Sequence, residues 1–528
     1  MGQPVPTVSG HRVLALGVGL AIAIALAAPP PVGARSEAAS TSGTGVTGAS
    51  GATLGAASRT STASAGTGTA LGAASTGEAI VRPLAAPAVV QPAALQQIGY
   101  EDGSFTGSSG GSPSGSKPES KLWYAGGAWW ASMWSPSADS FEIFRLSADR
   151  TSWSDTGVAL DDRPATRADT LWDGSHLYVA SHIYTESNSS RKTGTSNAAR
   201  LYRFSFDGTT YHLDSGFPVL INDTSSETLT VAQDSTGQLW ATWAQDHAVY
   251  VDRTTGSDAS WGTPFALTVA GASTLTSDDI SDVVAFGGAD VGVMWSNQNA
   301  AVMYFAVHRD ADPDTTWQAS EAAARGPDEA DDHINLKADS AGRVYAAVKT
   351  SLNRSDEPLI NLLVRSTAGS WASYLFGTGH DSQTRPIVEL DEGAGVIHMF
   401  ATCPQPPNGS GQSGGDICEK TSPLTSIAFA AGSGTPVIQD PDSDDMNNVS
   451  STKQNVSSAS GLAFIATDDT TQRYWHGFET LGGTPPPNTA PSAVASSATT
   501  AQDTPVSVTL RGHDAESCEL TFTITTAP

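Results

Sequence analysis

A set of ionisable residues recurs at one position in successive segments of the chain, six or seven residues before a repeated Asp/Gly turn. Arginine forks bind carboxylates, and carboxylates accept hydrogen bonds from hydroxyl groups. Around one cavity these residues would bind an acidic or hydroxylated ligand; the alternative is that they pair with one another and stabilise a channel wall. The paired positions are Thr166/Arg167, Glu227/Thr228, Asp279/Ile280, Asp332/His333, Thr384/Arg385 and Ser451/Thr452. Neighbouring candidates, should the register differ, are Asp169, Asp278, Asp331, Asn335 and Lys453.

The turns that define this column predict β-hairpins. Asp173, Asp234 and Asp339 each precede a Gly within three residues, and an apolar segment follows. The carboxylate accepts backbone N–H groups while Gly takes a positive φ, so each phrase indicates a hairpin tip. An aromatic residue recurs near the end of each unit, 50 to 58 residues apart: Trp153, Tyr211, Trp261, Trp317, Trp371 and Phe429. This period, with almost no helical patterning, predicts an all-β chain folded as a β-propeller.

The count of units predicts how the ring closes. Six units are complete between Lys121 and Asp440, whereas the seventh, residues 451–478, lacks a fourth strand. We expect residues 97–105 to supply that strand, which would leave no open sheet edge. Seven blades are therefore predicted over residues 95–478, with a six-bladed ring as the alternative.

The first 94 residues resemble export and spacer sequence. Residues 1–34 contain an apolar run, Val13 to Ala27, preceded by His11 and Arg12, and are interpreted as a signal peptide, with an uncleaved anchor as the alternative. Residues 35–94 consist mostly of Ala, Ser, Thr and Gly and are predicted to be a disordered spacer, or else a glycosylated stalk. We therefore expect a secreted or cell-surface protein with no membrane span after signal cleavage.

Charge and cysteine content agree with that compartment. The chain has 27 basic and 54 acidic residues, a net charge of −27, which argues against nucleic acid or anionic membrane as partner. Cys403 and Cys418 flank a Pro/Gly/Ser-rich excursion between two strands and are predicted to form a disulfide, with two unpaired thiols as the alternative.

One acidic loop is a calcium candidate. Asp440, Asp442 and Asp444 alternate along the chain and offer the oxygen ligands that Ca²⁺ prefers. The loop lacks the Gly and the distal Glu of an EF-hand, so an acidic surface loop without metal is the favoured interpretation. No other cofactor is predicted.

The C-terminal residues form a separate region. Residues 479–490 are rich in Pro and Gly and indicate a linker. The order of Asn488 to Pro491, Asp503 to Leu510, Gly512 to Glu516 and Leu520 to Ile524 resembles the start of immunoglobulin-like or cadherin-like modules of bacterial surface proteins. The resemblance implies that residues 491–528 are part of a β-sandwich module.

Two further resemblances concern activity. The turn phrase is similar to the Asp-box of sialidase-like propellers, which implies three convergent arginines and a Tyr/Glu nucleophile pair; the column supplies Arg167 and Arg385. The Asp331-Asp332-His333 stretch resembles secreted propeller polysaccharide lyases, in which a His and a Tyr handle the proton at a uronate carbon. That resemblance implies Asp332, His333, His182 and Tyr184 as catalytic candidates.

Together these patterns predict a propeller that binds an extracellular ligand, in particular a glycan, at the mouth of its central channel. The predicted ligand-binding residues are Arg167, Glu227, Asp279, Asp332, His333 and Arg385. The alternative is a carbohydrate-active enzyme, a polysaccharide lyase or a glycoside hydrolase, that uses the same mouth. A monomer is expected.

Overall fold

The computed structural model describes residues 95–115, 117–405 and 411–482, together with the backbone of two short strands, 492–494 and 511–513. The predicted signal peptide and spacer lie outside the described residues, as does most of the linker and of the C-terminal module. Within the described part of the chain, no helix has the length and apolar character needed to cross a membrane.

The strands of the described residues 100–479 pair antiparallel and form seven sheets, the blades. The first strand, β1 (Tyr100–Ser104), precedes blade 1, which has four strands, and blade 2, which has five. Blade 1 contains β2 (Leu122–Ala125), β3 (Ala128–Ser135), β4 (Ser140–Leu146) and β5 (Trp153–Asp161), and blade 2 contains β6 (Thr166–Trp172), β7 (His176–Ile183), β8 (Arg200–Phe206), β9 (Tyr211–Leu213) and β10 (Val219–Leu220).

The next blades repeat this order. Blade 3 contains β11 (Thr230–Gln233), β12 (Leu239–Gln245), β13 (Ala248–Thr255), β14 (Ser257–Trp261) and β15 (Phe265–Ala266), and blade 4 contains β16 (Ser281–Phe286), β17 (Asp290–Asn297), β18 (Val302–Arg309) and β19 (Glu321–Arg325). Blade 5 contains β20 (Ile334–Ala338), β21 (Val344–Lys349), β22 (Pro358–Arg365) and β23 (Trp371–Thr378), and blade 6 contains β24 (Thr384–Asp391), β25 (Val396–Cys403), β26 (Asp416–Pro423) and β27 (Thr435–Ile438).

The seventh blade combines both ends of the ring. Its strands are β28 (Met446–Ser450), β29 (Leu462–Asp468), β30 (Arg473–Glu479) and, outermost, β1. Tyr100 lies opposite His476 and Glu101 opposite Trp475. The predicted seven-bladed propeller, closed by an N-terminal strand, is confirmed. A further pair, β31 (Ser492–Val494) and β32 (Arg511–His513), follows the propeller in sequence.

The first strand of each blade contacts the first strand of the next, so these inner strands line the central channel. Large aromatic side chains fill the space between blades. Trp129, Trp130 and Trp134 are each at most 1% exposed, and the Trp123 indole donates to the Tyr211 hydroxyl at 2.7 Å. These residues belong to the core, and none of the three tryptophans offers a surface on which a sugar ring would stack.

The recurring turns form as predicted. Asp234 Oδ1 accepts the backbone N–H groups of Thr236 and Gln238, each at 2.9 Å, and Gly237 has φ +83°. The other carboxylate oxygen accepts the Trp240 indole at 3.0 Å, which ties the hairpin tip to the core. The predicted disulfide between Cys403 and Cys418 is also present, joining neighbouring positions of β25 and β26.

Candidate functional site

The channel has a charged end where the inner strands of blades 2 to 6 begin; we call it the entrance. The chain that connects β1 to β2, described at residues 105–115 and 117–121, lies across it. Gly110 contacts Arg167 of blade 2, and Ser112 contacts Asp469 of blade 7. Lys117 contacts residues of blades 3 and 5. We call this stretch the connecting segment.

Lys117 of the connecting segment bridges two blades. Its Nζ lies 2.9 Å from Glu227 Oε1 of blade 3 and also contacts Asp332 Oδ2 of blade 5. Its backbone has φ +49°, a conformation that costs free energy for a residue with a side chain and that often marks functional sites. Sequence reasoning missed Lys117, because it precedes the first blade and no turn phrase gives its register.

His333 is enclosed by carboxylates. Its Nδ1 lies 2.6 Å from Asp331 Oδ1 and 2.8 Å from Asp332 Oδ1, and Lys349 Nζ lies 2.8 Å from Asp331 Oδ2. Burial and, next, the Lys117 ammonium lower the pKa of His333 to about 3. The imidazole is therefore neutral at physiological pH. Its Nδ1 already contacts the carboxylates of Asp331 and Asp332.

Arg167 is held in one orientation at the entrance. Its Nε and Nη2 donate to the Gly110 carbonyl at 3.0 and 2.7 Å, and its guanidinium lies 3.8 Å from the centroid of the Tyr184 ring. Gly115 permits this close approach, since a Cβ there would lie 2.6 Å from Arg167 Nη1. The connecting segment and Tyr184 together fix the guanidinium.

Arg385 is half-buried at the same entrance, but it lacks the direct contacts that hold the Arg167 guanidinium in place. Within the described residues its guanidinium makes no hydrogen bond and no ion pair, and its backbone has φ +53°. Burial, then the nearby Arg167, lower the pKa of Arg385, while Asp469 opposes them. Two neighbouring guanidiniums, one of them without a partner among the described side chains, create a field that attracts an anion.

The structure places His182 in the protein core, below the entrance surface. The side chain is completely buried, Nε2 lies 2.6 Å from Glu119 Oε1, and Nδ1 lies 3.1 Å from Ser226 Oγ. Burial by itself would raise the pKa of Glu119, but Lys121 and His182 outweigh burial and lower it to about 2. His182 thus belongs to a buried ion network. This placement leaves no free nitrogen for proton transfer alongside Tyr184.

In blade 4 the residue at the entrance is Asp278. The prediction that Asp279 binds the ligand there is wrong. Asp279 is fully buried, and its carboxylate accepts the backbone N–H groups of Thr276 at 2.6 Å and Gln298 at 3.1 Å. Asp278 is exposed, and its carboxylate lies within 4.8 Å of those of Glu227 and Asp332. The register differs by one residue here because Asp279 is needed to cap a local turn.

Below the entrance, side chains join adjacent inner strands. In four successive blades a side-chain oxygen accepts a backbone N–H of the next inner strand: Asp169 from Val231 at 2.8 Å, Thr230 from Val283 at 3.2 Å, Asp282 from Leu336 at 3.0 Å and Asn335 from Val388 at 3.0 Å. We call this the inter-blade ring. Asp169 and Asn335 therefore stabilise the channel wall.

Buried ion pairs fill the channel at the level of the ring. Lys453 Nζ lies 3.0 Å from Asp169 Oδ2, and Lys337 Nζ lies 2.9 Å from Glu389 Oε2. The Lys337 ammonium also donates to the Thr452 carbonyl. The expected blade 7 positions, Ser451 and Thr452, thus lie after β28 at this depth and not at the entrance. An additional stretch of chain in blade 7 displaced the register.

The acidic loop has a partial explanation without metal. Asp440 Oδ1 accepts the backbone N–H of Asp442 at 2.9 Å and forms a turn. Asp440, Asp442 and Asp444 are not among the triplets of described His, Cys and acidic residues whose ligand atoms approach within 4.8 Å. An acidic surface loop without metal stays the favoured interpretation, with calcium binding as its alternative.

The fold and the site together define a seven-bladed β-propeller with a charged, partly covered channel entrance. No protein-family model matches the chain, and no curated protein sequence matches it. Similar solved structures include a protein of unknown function from Dyadobacter fermentans (11% identity, TM-score 0.36, 59% of this chain and 96% of that chain). The α-L-arabinanase of Penicillium chrysogenum has 10% identity and a TM-score of 0.36 over 59% of this chain and 94% of that chain.

The NanB sialidase of Streptococcus pneumoniae is also similar, with 10% identity and a TM-score of 0.29 over 54% of this chain. The match spans 48% of the sialidase chain. The number of blades and the closure follow from strand pairing within this chain.

Proposed function

We propose that this protein is a secreted or cell-surface propeller that binds a carboxylated glycan at the channel entrance. The observation that carries the proposal is Arg385, a half-buried guanidinium beside Arg167 that has no ion-pair partner within the described residues. A guanidinium presents paired N–H donors that match a carboxylate, and partial burial strengthens such a bond.

Other entrance groups suit the remainder of a sugar. The exposed carboxylate of Asp278 can accept hydrogen bonds from hydroxyl groups, as can Asp469 on blade 7. Glu227, Asp332 and His333 are engaged with Lys117 or with one another, so they shape and neutralise the floor of the entrance. A ligand carboxylate at Arg385 and hydroxyls at the acidic rim would together select an acidic sugar.

Glycoside hydrolysis is the second candidate, on one specific observation. The carboxylates of Glu227, Asp278 and Asp332 converge within 4.8 Å, and burial raises the pKa of Glu227 even though Lys117 opposes it. A carboxyl with a raised pKa beside an ionised one is the arrangement of an acid and a nucleophile in glycosidases. Lys117 occupies the space between these groups, and for that reason binding is the first candidate.

The decisive experiment measures retention of the purified protein on polygalacturonate and on neutral galactan. Because each charged hydrogen bond contributes about 1.5–3 kcal/mol, Arg385→Ala should weaken binding to polygalacturonate by roughly 10- to 100-fold. The matched control is Arg309→Ala, since Arg309 is exposed and lies at the end of β18, on the side of blade 4 away from the entrance. Release of reducing or unsaturated sugars is followed in the same samples.

Equal retention by the wild-type protein and Arg385→Ala would exclude the arginine site. Product release that is lost in Glu227→Gln would instead establish the hydrolase, and product release lost in His333→Ala would establish the lyase. Preference for galactan over polygalacturonate would contradict the acidic-ligand assignment.

A further inference from the structure

A cluster of one histidine and two glutamates joins blade 6 to blade 7, away from the entrance. His398 lies on β25, Glu419 on the adjacent β26 and Glu479 at the end of β30. His398 Nδ1 lies 2.6 Å from Glu419 Oε1 and 3.7 Å from Glu479 Oε2. We call these three residues the interface triad.

The strand register explains why the three side chains meet. In β25 and β26, His398 pairs with Thr421 and Phe400 pairs with Glu419, so His398 and Glu419 are diagonal neighbours. Glu479 comes from the next blade, opposite Leu462 at the edge of β29. Each residue is anchored in a regular strand, so the geometry depends on the packing of two blades and not on a loop.

The interface triad differs from the other triplets of potential metal ligands because no lysine or arginine pairs with its carboxylates in the described residues. Two other described triplets of His, Asp and Glu have ligand atoms within 4.8 Å, Asp331-Asp332-His333 and Glu227-Asp278-Asp332. Both already hold a lysine ammonium, from Lys349 or Lys117. In the described part of the chain, no Lys or Arg forms an ion pair with Glu419 or Glu479.

We infer that the interface triad binds a divalent metal ion of the zinc type. Zn²⁺ accepts both imidazole nitrogen and carboxylate oxygen as ligands, at distances of about 2.0–2.2 Å, and three protein ligands leave a fourth position for water. Small side-chain movements would open the present 2.6 Å contact enough to admit the ion. Glu479 is 25% exposed at its side chain, which gives the fourth position access to solvent.

Such an ion would connect blade 6 to the blade that closes the ring. Its ligands come together only when the two blades pack, so the ion binds the folded chain and stabilises it. This inference is independent of the proposed glycan site.

Equilibrium dialysis of the full chain against Zn²⁺, with metal analysis, tests the inference. We expect one equivalent of tightly bound Zn²⁺ and a higher unfolding midpoint when it is present. Glu479→Gln and His398→Gln should each weaken that binding at least tenfold. The matched control is His212→Gln, because His212 forms an exposed pair with Asp207 at 3.0 Å that lacks a third ligand.

Glu479→Gln keeps a side chain of the same shape and can still hydrogen-bond to Glu419, so it should fold and unfold normally without metal. Absence of stoichiometric Zn²⁺ in the wild-type protein would overturn the inference. Binding that persists unchanged in Glu479→Gln would also overturn it, because the ion would then occupy another site. Should His398→Gln fail to fold, the comparison of wild type with Glu479→Gln decides alone.

Discussion

The guanidinium of Arg167 stacks 3.8 Å from the centroid of the Tyr184 ring, and this contact determines where positive charge stands at the entrance. Tyr184 follows β7, which pairs with the strand that carries Arg167, so both residues belong to blade 2. The Gly110 carbonyl holds the same guanidinium from the opposite chain segment. Arg167 is therefore immobilised, and Arg385 is the arginine better placed to meet a ligand.

The stacked pair gives the first prediction. Tyr184→Ala removes the ring, and because a cation–π contact contributes about 0.5–2 kcal/mol, affinity for polygalacturonate should fall by roughly 2- to 30-fold. Tyr184→Phe keeps the ring and should bind as the wild type does. Titration calorimetry of both variants measures the difference. Equal losses in Phe and Ala would assign the effect to the hydroxyl and contradict a stacking role.

Lys117 gives the second prediction. Lys117→Met removes the ammonium that contacts both Glu227 and Asp332, so the free energy of unfolding at pH 7 should fall by about 1–4 kcal/mol. The loss should be smaller at pH 5, because burial raises the pKa of Glu227 and protonation then relieves the repulsion. Denaturant titration at both pH values measures it.

Lys192→Met is the control for that series, since Lys192 is exposed. A loss for Lys117→Met that does not change between pH 5 and pH 7 would show that carboxylate repulsion is not its cause.

Ring closure gives the third prediction, from two neighbours on β1. Asp102 Oδ2 lies 2.6 Å from His476 Nδ1 and both side chains are buried, whereas Glu101 forms an exposed pair with Arg473 at 3.2 Å. Asp102→Ala leaves the buried Nδ1 of His476 without its Asp102 partner and should lower the free energy of unfolding by about 1–3 kcal/mol. Glu101→Ala should change it by at most about 1 kcal/mol. Chemical denaturation of both variants, compared with a chain that begins at residue 106, measures the contribution of ring closure to stability. Equal effects of the two substitutions would contradict the role of the buried Asp102–His476 pair in that closure.

The fourth prediction concerns pH and the inter-blade ring. Burial, opposed by Lys453 and reinforced by Asp169, raises the pKa of Asp282 to about 7. A carboxyl with a raised pKa favours folding below its unfolded pKa, and that contribution is lost as the pH rises through the folded value. The contribution of Asp282 to the free energy of unfolding should therefore decline between about pH 4 and pH 7, by an amount on the order of 1–4 kcal/mol.

Asp282→Asn should remove this part of the pH dependence. The amide oxygen can still accept the Leu336 N–H, and Asn335 already fills the equivalent position in blade 5. Asp173→Asn is the control, because hydrogen bonds that outweigh burial lower the pKa of Asp173 to about 2, and its contribution is therefore nearly constant between about pH 5 and pH 7. An unchanged slope in Asp282→Asn, measured by denaturant titration at several pH values, would reject the assignment.

The amino-acid sequence by itself determined the architecture, because the features that specify a blade are local. Asp234 accepts hydrogen bonds from residues two and four positions away, so the turn is visible in the sequence as a short phrase. The missing fourth strand of blade 7 could likewise be inferred from a count, since an open ring leaves strand edges unpaired. The pairing of Cys403 with Cys418 followed from two strands joined by a hairpin.

Only the tertiary structure decided which of the polar residues meet at the entrance. Lys117 reaches Glu227 and Asp332 across 110 and 215 residues of chain, a contact that no local pattern encodes. A turn that needed the Asp279 carboxylate brought Asp278 to the entrance instead, and Glu119 drew His182 into the core. A repeat specifies each blade through contacts within a few residues, whereas charges that converge from several blades depend on the exact length of every connection between them.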